Sequence, residues 1–137
     1  MKIVICGSMS ASKKMVEIKG ELEKLGHEVI LPKNAQEYAD QSLKAEDSQE
    51  STKNKIENDL IRDYFHKISE SDAVLVVNQA KNGIDGYVGG NSFLEMGFAH
   101  VLSKTIFLLN PIPQVPYADE IVAMQPVVLS SSLDLVK

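Results

Sequence analysis

Five short apolar runs, residues 3–6, 28–31, 73–77, 105–109 and 126–129, constrain this chain more than any other feature. Most are continuously hydrophobic rather than alternating, so strands built from them must be covered on both faces. The stretches between them carry helical spacing. Met15, Ile18, Leu22 and Leu25 mark one helix, closed by Gly26. Ile56, Leu60, Tyr64 and Ile68 mark a second, with Ile61 and Phe65 widening its stripe; a third covers about 91–102 and a short fourth about 117–123. Strand and helix in alternation predict an α/β fold: a five-stranded parallel sheet with helices on both faces, a flavodoxin-like or Rossmann-like three-layer sandwich.

At 137 residues the chain suits a single domain, 1–137, since two domains this short would each bury too little surface. A formal charge of −5 disfavours a nucleic-acid polymer or an anionic membrane as partner and leaves a small molecule as the expected one. No apolar run reaches the roughly 18 residues of a membrane span, and the apolar start is too short for a secretory leader. A cytoplasmic location is expected. The single cysteine, Cys6, lies inside the first apolar run and reads as a buried structural thiol. Residues 34–52 are almost without apolar side chains, Tyr38 and Leu43 excepted. They read as loop or a poorly anchored helix, either closing over a ligand or forming a solvated insertion.

In a parallel sheet of this kind, ligands sit beyond the carboxyl ends of the strands. The loops opening at Gly7, Pro32, Asn78 and Asn110 should therefore crowd one crevice, while Asp72, preceding the third run, belongs at the opposite edge. The glycine-rich loop after Asn78 leads into the third helix, where Glu95 is the only fixed charge between Ser92 and Leu102. A carboxylate isolated on an apolar helix is costly unless it is solvated, hydrogen-bonded or neutralised. Two explanations stand. Ser92-Phe93-Leu94-Glu95 matches a capping box, in which the glutamate serves only its own helix end. Alternatively, Gly89 and Gly90 let a ligand approach closely, and Glu95 is a nucleophile below a glycine-lined cleft.

Gly7-Ser8-Met9-Ser10 offers backbone N–H groups and hydroxyls to an anion, with Lys13 and Lys14 just behind; the plainer alternative is a tight turn followed by solvated lysines. The glycine spacing of a dinucleotide fingerprint or a Walker loop is missing, so no nucleotide cofactor is expected. On the second helix, Asp63 lies closest to the edge of the apolar stripe and is a better site candidate than Asp59, although a solvated helix face explains either. No cluster of His, Cys or carboxylates has metal-ligand spacing, so no metal is expected. The third helix is apolar nearly all round, more than one sheet face covers, which predicts a homo-oligomer, a dimer or higher.

Several of these segments together are similar to the nucleoside 2-deoxyribosyltransferase superfamily. They are Ser71-Asp72-Ala73-Val74-Leu75-Val76-Val77-Asn78 with the glycine loop behind it, Glu95-Met96-Gly97-Phe98-Ala99, and Lys104-Thr105-Ile106. Cys6-Gly7-Ser8 looks like the opening of the related 2'-deoxynucleoside 5'-monophosphate N-glycosidases. The resemblance implies that Glu95 attacks C1' of a deoxyribosyl unit, that an aspartate on the preceding helix, carried to Asp63 with Asp59 as fallback, contacts the leaving base, and that neighbouring subunits complete the site. Water as acceptor gives hydrolysis; a second base gives transfer. Loop placement then assigns Ser8, Asn91 and Ser92 to the sugar or its phosphate, Gly7, Gly89 and Gly90 to close backbone approach, and Asn78 and Tyr87 to the base side. The chain departs from the family in two places. Val4 or Ile5 stands where a strand-one tyrosine would orient the nucleophile, and Ser10 or a neighbour stands where the monophosphate hydrolases carry an arginine. Two other functions fit the same segments. One is a phosphoribohydrolase of the lysine-decarboxylase-like type, whose double-glycine and glutamate motif resembles residues 89–95 with a spacing one residue short. The other is a non-catalytic nucleotide-binding or sensing protein on this scaffold.

Overall fold

In the computed structural model, which describes residues 1–40, 53, 56 and 59–137, the expected alternation holds. Strands β1 (Lys2–Cys6), β2 (Glu28–Ile30), β3 (Ala73–Val76), β4 (Thr105–Leu108) and β5 (Val127–Val128) form one sheet in the order β2-β1-β3-β4-β5, all pairings parallel. This is the flavodoxin-like order. Helices with both ends described are α1 (Ser12–Lys24), α2 (Ala35–Ala39), α3 (Leu60–Ser69), α4 (Gly90–Val101) and α5 (Ala118–Ala123).

Successive residues of a strand point to opposite faces, and β1 shows why its run is continuous. Ile3 and Ile5 pack with Met15, Ile18 and Leu22 of α1, while Val4 and Cys6 pack on the other face with Ile68 of α3, Met96 and Ala99 of α4 and Ile121 of α5. Each fully buried side chain of this size stabilises the fold by roughly 1.5–3 kcal/mol. Helix α1 stops where the sequence predicts, with Gly26 at φ +94° just past its end. The polar segment is described only at its start. Its first part forms α2, anchored by Ala35, which is buried in the cluster that includes α1; residues 41–52 lie outside the described residues. Two short 3₁₀ turns, Met9–Ala11 and Leu133–Leu135, are too short to leave a periodic signal.

Register decides where the loops begin. Cys6 sits beside Val76 and Val76 beside Leu108, so the carboxyl ends of β1, β3 and β4 are level and the segments from Gly7, Val77 and Leu109 leave from one edge. Asp72 lies at the other edge, where its carboxylate accepts the Lys2 N–H at 2.7 Å. On α4, Phe93 and Phe98, with Leu102 just past its end, turn towards the α3 and α5 side of the core, whereas Leu94 and Val101 point outward at 43% and 82% exposure. No helix among the described residues is long and apolar enough to cross a membrane.

Candidate active site

A cavity of about 590 Å³ opens at the carboxyl edge of the sheet. Its wall is built from the β1–α1 loop, the segment after β2, the loop after β3, and the facing sides of α3 and α4. Of the residues expected at the site, Gly7, Ser8, Tyr87, Gly89, Gly90, Asn91, Ser92 and Glu95 line it. A side chain at Gly90 would meet nothing within 4 Å, as expected of backbone facing open space.

Glu95 lies more than a turn inside α4. Gly89 is the N-cap, no side chain caps the helix, and Ser92 is already within it. A capping box needs the serine at the cap position, so the helix-end explanation for this glutamate loses its basis. The carboxylate instead reaches the end of β1. One of its oxygens, Oε2, is buried, and the carboxylate accepts a hydrogen bond from the Cys6 thiol. Burial pushes that thiol well above its ordinary value, and the negative charge and hydrogen bond of Glu95 push it further the same way. Cys6 thus stays protonated and acts as a donor towards the glutamate.

Helix α3 presents Leu60, Ile61 and Tyr64 to the cavity. The Tyr64 hydroxyl donates to the Ile5 carbonyl, one residue before Cys6. Burial holds it well above the usual phenol range, with the Cys6 thiolate, where it forms at high pH, and the charges of Glu95 and Asp63 adding to the shift. A tyrosine hydroxyl therefore does stand at the end of strand one beside the glutamate, delivered by a helix rather than by the strand itself. Its place in an apolar stripe disguised it in the sequence.

Two expected site residues are placed elsewhere. Asp63 does not line the cavity. It pairs with Lys67 at 2.9 Å on the solvated side of α3, because turning Leu60, Ile61 and Tyr64 inward rotates residue 63 away. Asp59, the fallback, pairs with Arg62 at 3.0 Å and does not line the cavity either. Asn78 is the second correction. It is 1% exposed and braces the loops behind the wall. Its Nδ2 donates to the carbonyls of Gly86, Asn110 and Pro111 at 3.2, 2.9 and 3.3 Å, and its Oδ1 accepts the Asn110 N–H at 2.9 Å. Asn110 returns a bond from Nδ2 to the Asn78 carbonyl at 2.9 Å. Gly86, at φ +66°, completes the clamp, since a Cβ there would stand 2.5 Å from the Pro111 carbonyl oxygen. Tyr117 holds the next part of the loop, donating to the Val88 carbonyl and packing on Phe93 with ring centres 4.7 Å apart.

The raised thiol and phenol predict how stability responds to alkali. In the unfolded chain these groups ionise near pH 8.5 and 10; in the folded one they keep their protons. Above about pH 8.5 the unfolded state then binds fewer protons than the native state, so stability falls as pH rises. It is fully present below that point. Between pH 7.5 and 10 the thiol alone should remove about 2 kcal/mol. Urea unfolding at the two pH values tests this, with Cys6→Ser expected to flatten the drop; equal stabilities at both would contradict it.

Among the described residues, no group of three or more His, Cys, Asp and Glu side chains is arranged to hold a metal ion. No protein-family model and no curated protein matches the chain. Among solved structures it is similar to a CMP N-glycosidase of Clostridium botulinum, BcmB, with a TM-score of 0.51 and 16% sequence identity over 93% of this chain and 85% of that one. At that identity the likeness is one of fold.

Proposed function

We propose that the protein breaks or transfers the N-glycosidic bond of a nucleoside or its 5'-monophosphate, with Glu95 as nucleophile. The observation carrying this reading is that Glu95 is the only acid among the described residues of the cavity wall, its carboxylate braced by a thiol that keeps its proton. The fold shared with an N-glycosidase supports the same chemistry.

A Glu95 oxygen attacks C1' of the sugar as the C1'–N bond breaks through an oxocarbenium-like transition state; the bonding pair leaves with the base, which takes up a proton. The product is a glycosyl ester of Glu95. Water attacking C1' then frees the sugar and the carboxylate, or a second base does so and completes a transfer. Cys6 aids the attack by fixing the carboxylate at the end of β1, since effective attack depends on the reacting atoms being held in line. Tyr64, kept protonated, is the polar group α3 offers the cavity in place of Asp63. Leu60, Ile61, Leu94 and Phe98 supply an apolar surface for the base. The exposed Leu94 at the rim of this surface and Val101 further along α4 support self-association next to the site.

Incubation with a panel of ribo- and deoxyribonucleosides and their 5'-monophosphates, followed by chromatography for free base, tests the proposal. Release of base from at least one member is expected. Binding without release would favour a sensing role, and preference for ribose would favour the phosphoribohydrolase reading, because a 2'-hydroxyl needs its own partner.

A further inference from the structure

We infer that Lys81 selects a phosphorylated substrate, by binding a phosphomonoester dianion where the loops after β1 and β3 meet at the cavity wall. This rests on the glycosidic reading of the same cavity and names its substrate class.

The placement of Lys81 is built into the backbone. Lys81-Asn82-Gly83-Ile84 closes a two-residue turn in which Lys81 and Ile84 exchange backbone hydrogen bonds of 3.1 and 3.0 Å. Asn82 and Gly83 both take positive φ, 54° and 75°, the conformation for which an Asn-Gly pair is suited. From this turn Lys81 Nζ donates to Ser8 Oγ at 2.9 Å, across 73 residues of sequence. Ser8 Oγ also accepts the Ser10 N–H at 3.3 Å and lies 3.0 Å from Ser10 Oγ. One ammonium and two hydroxyls thus converge, and all three residues line the cavity.

The charge balance says what they await. Among the described residues, Lys33 and Lys81 line the wall against one acid, Glu95, whose carboxylate lies at the end of β1. The acceptor Lys81 has, Ser8, is a neutral hydroxyl. Hydrogen bonds from an ammonium to a phosphate oxygen are charge-assisted and stronger than those to a hydroxyl, so an entering dianion draws Lys81 to itself. With the base on Leu60, Ile61, Leu94 and Phe98 and C1' at Glu95, the 5' end of the sugar is the part left to meet Ser8, Ser10 and Lys81. The loop after β3 thereby supplies the cation that the β1–α1 loop lacks in sequence.

The test compares one nucleoside with its own 5'-monophosphate, following base release and, by calorimetry, binding. The monophosphate should exceed the nucleoside in kcat/KM by about tenfold or more. Lys81→Gln, which keeps an amide for Ser8, should shrink that ratio by about tenfold, and Lys81→Arg should retain it. A ratio near one in the native protein, or one unchanged in Lys81→Gln, overturns the inference. So does inorganic phosphate binding as tightly as the monophosphate, which would make this a free-anion site. If neither compound releases base, the glycosidic reading fails while calorimetry still decides this one. Tighter binding of the monophosphate, weakened in Lys81→Gln, upholds the role of Lys81, and equal binding removes it.

Discussion

Glu95→Gln is expected to abolish base release, lowering kcat by roughly a thousandfold or more, with the fold intact. The size of the effect follows from the make-up of the wall: among its described residues no second acid is available to take over the attack. Glutamine keeps the length and shape of the side chain and leaves an amide oxygen for the Cys6 thiol, so packing at the end of β1 should persist. Only the charge is lost. Thermal unfolding beside single-turnover base release separates the two effects. A variant that retains activity within tenfold of the native protein would show that the glutamate is a structural acid, whatever its surroundings.

The largest loss of stability is expected from Asn78→Ala. The substitution takes away the donor shared by three carbonyls and the acceptor for the Asn110 N–H, in a position that is 1% exposed. Leaving buried polar groups unsatisfied costs about 1–3 kcal/mol apiece, and with partial rescue by water the total should reach about 3 kcal/mol. For a chain of this size that corresponds to a fall in Tm of roughly 10 °C. The measurement also separates bracing from substrate contact. Unchanged unfolding with a raised KM would return Asn78 to the cavity wall and contradict the clamp between the ends of β3 and β4.

The sheet was legible because its signal is a composition of whole segments: runs such as Val74–Val76 within β3 are apolar throughout, and a buried parallel strand has no polar face to interrupt them. The crevice followed from topology, and with it the positions of Ser8, Tyr87 and Glu95 on one wall. What stayed hidden was rotation and reach. Asp63 and Tyr64 are adjacent in sequence, and a turn of about 100° decides which of them faces the cavity; the stripe containing Ile61 and Phe65 was too wide to fix it. Asn78, at the end of an apolar strand, carries the residue type of a ligand contact, but its partners at residues 86, 110 and 111 come from loops whose approach no local pattern records. Cys6 was correctly read as buried. Its contact with Glu95 was not legible, since it joins residues far apart in the chain through two elements that meet only in the folded protein.

The most direct measurement of the central claim is acid-quenched peptide mass mapping of the protein caught in turnover with a cleaved substrate. The expected result is one added glycosyl unit, with phosphate where the substrate carries it, on the peptide containing Glu95, and its disappearance in Glu95→Gln. Base release with no sugar on that peptide, or with the sugar on another residue, would contradict a covalent role for Glu95.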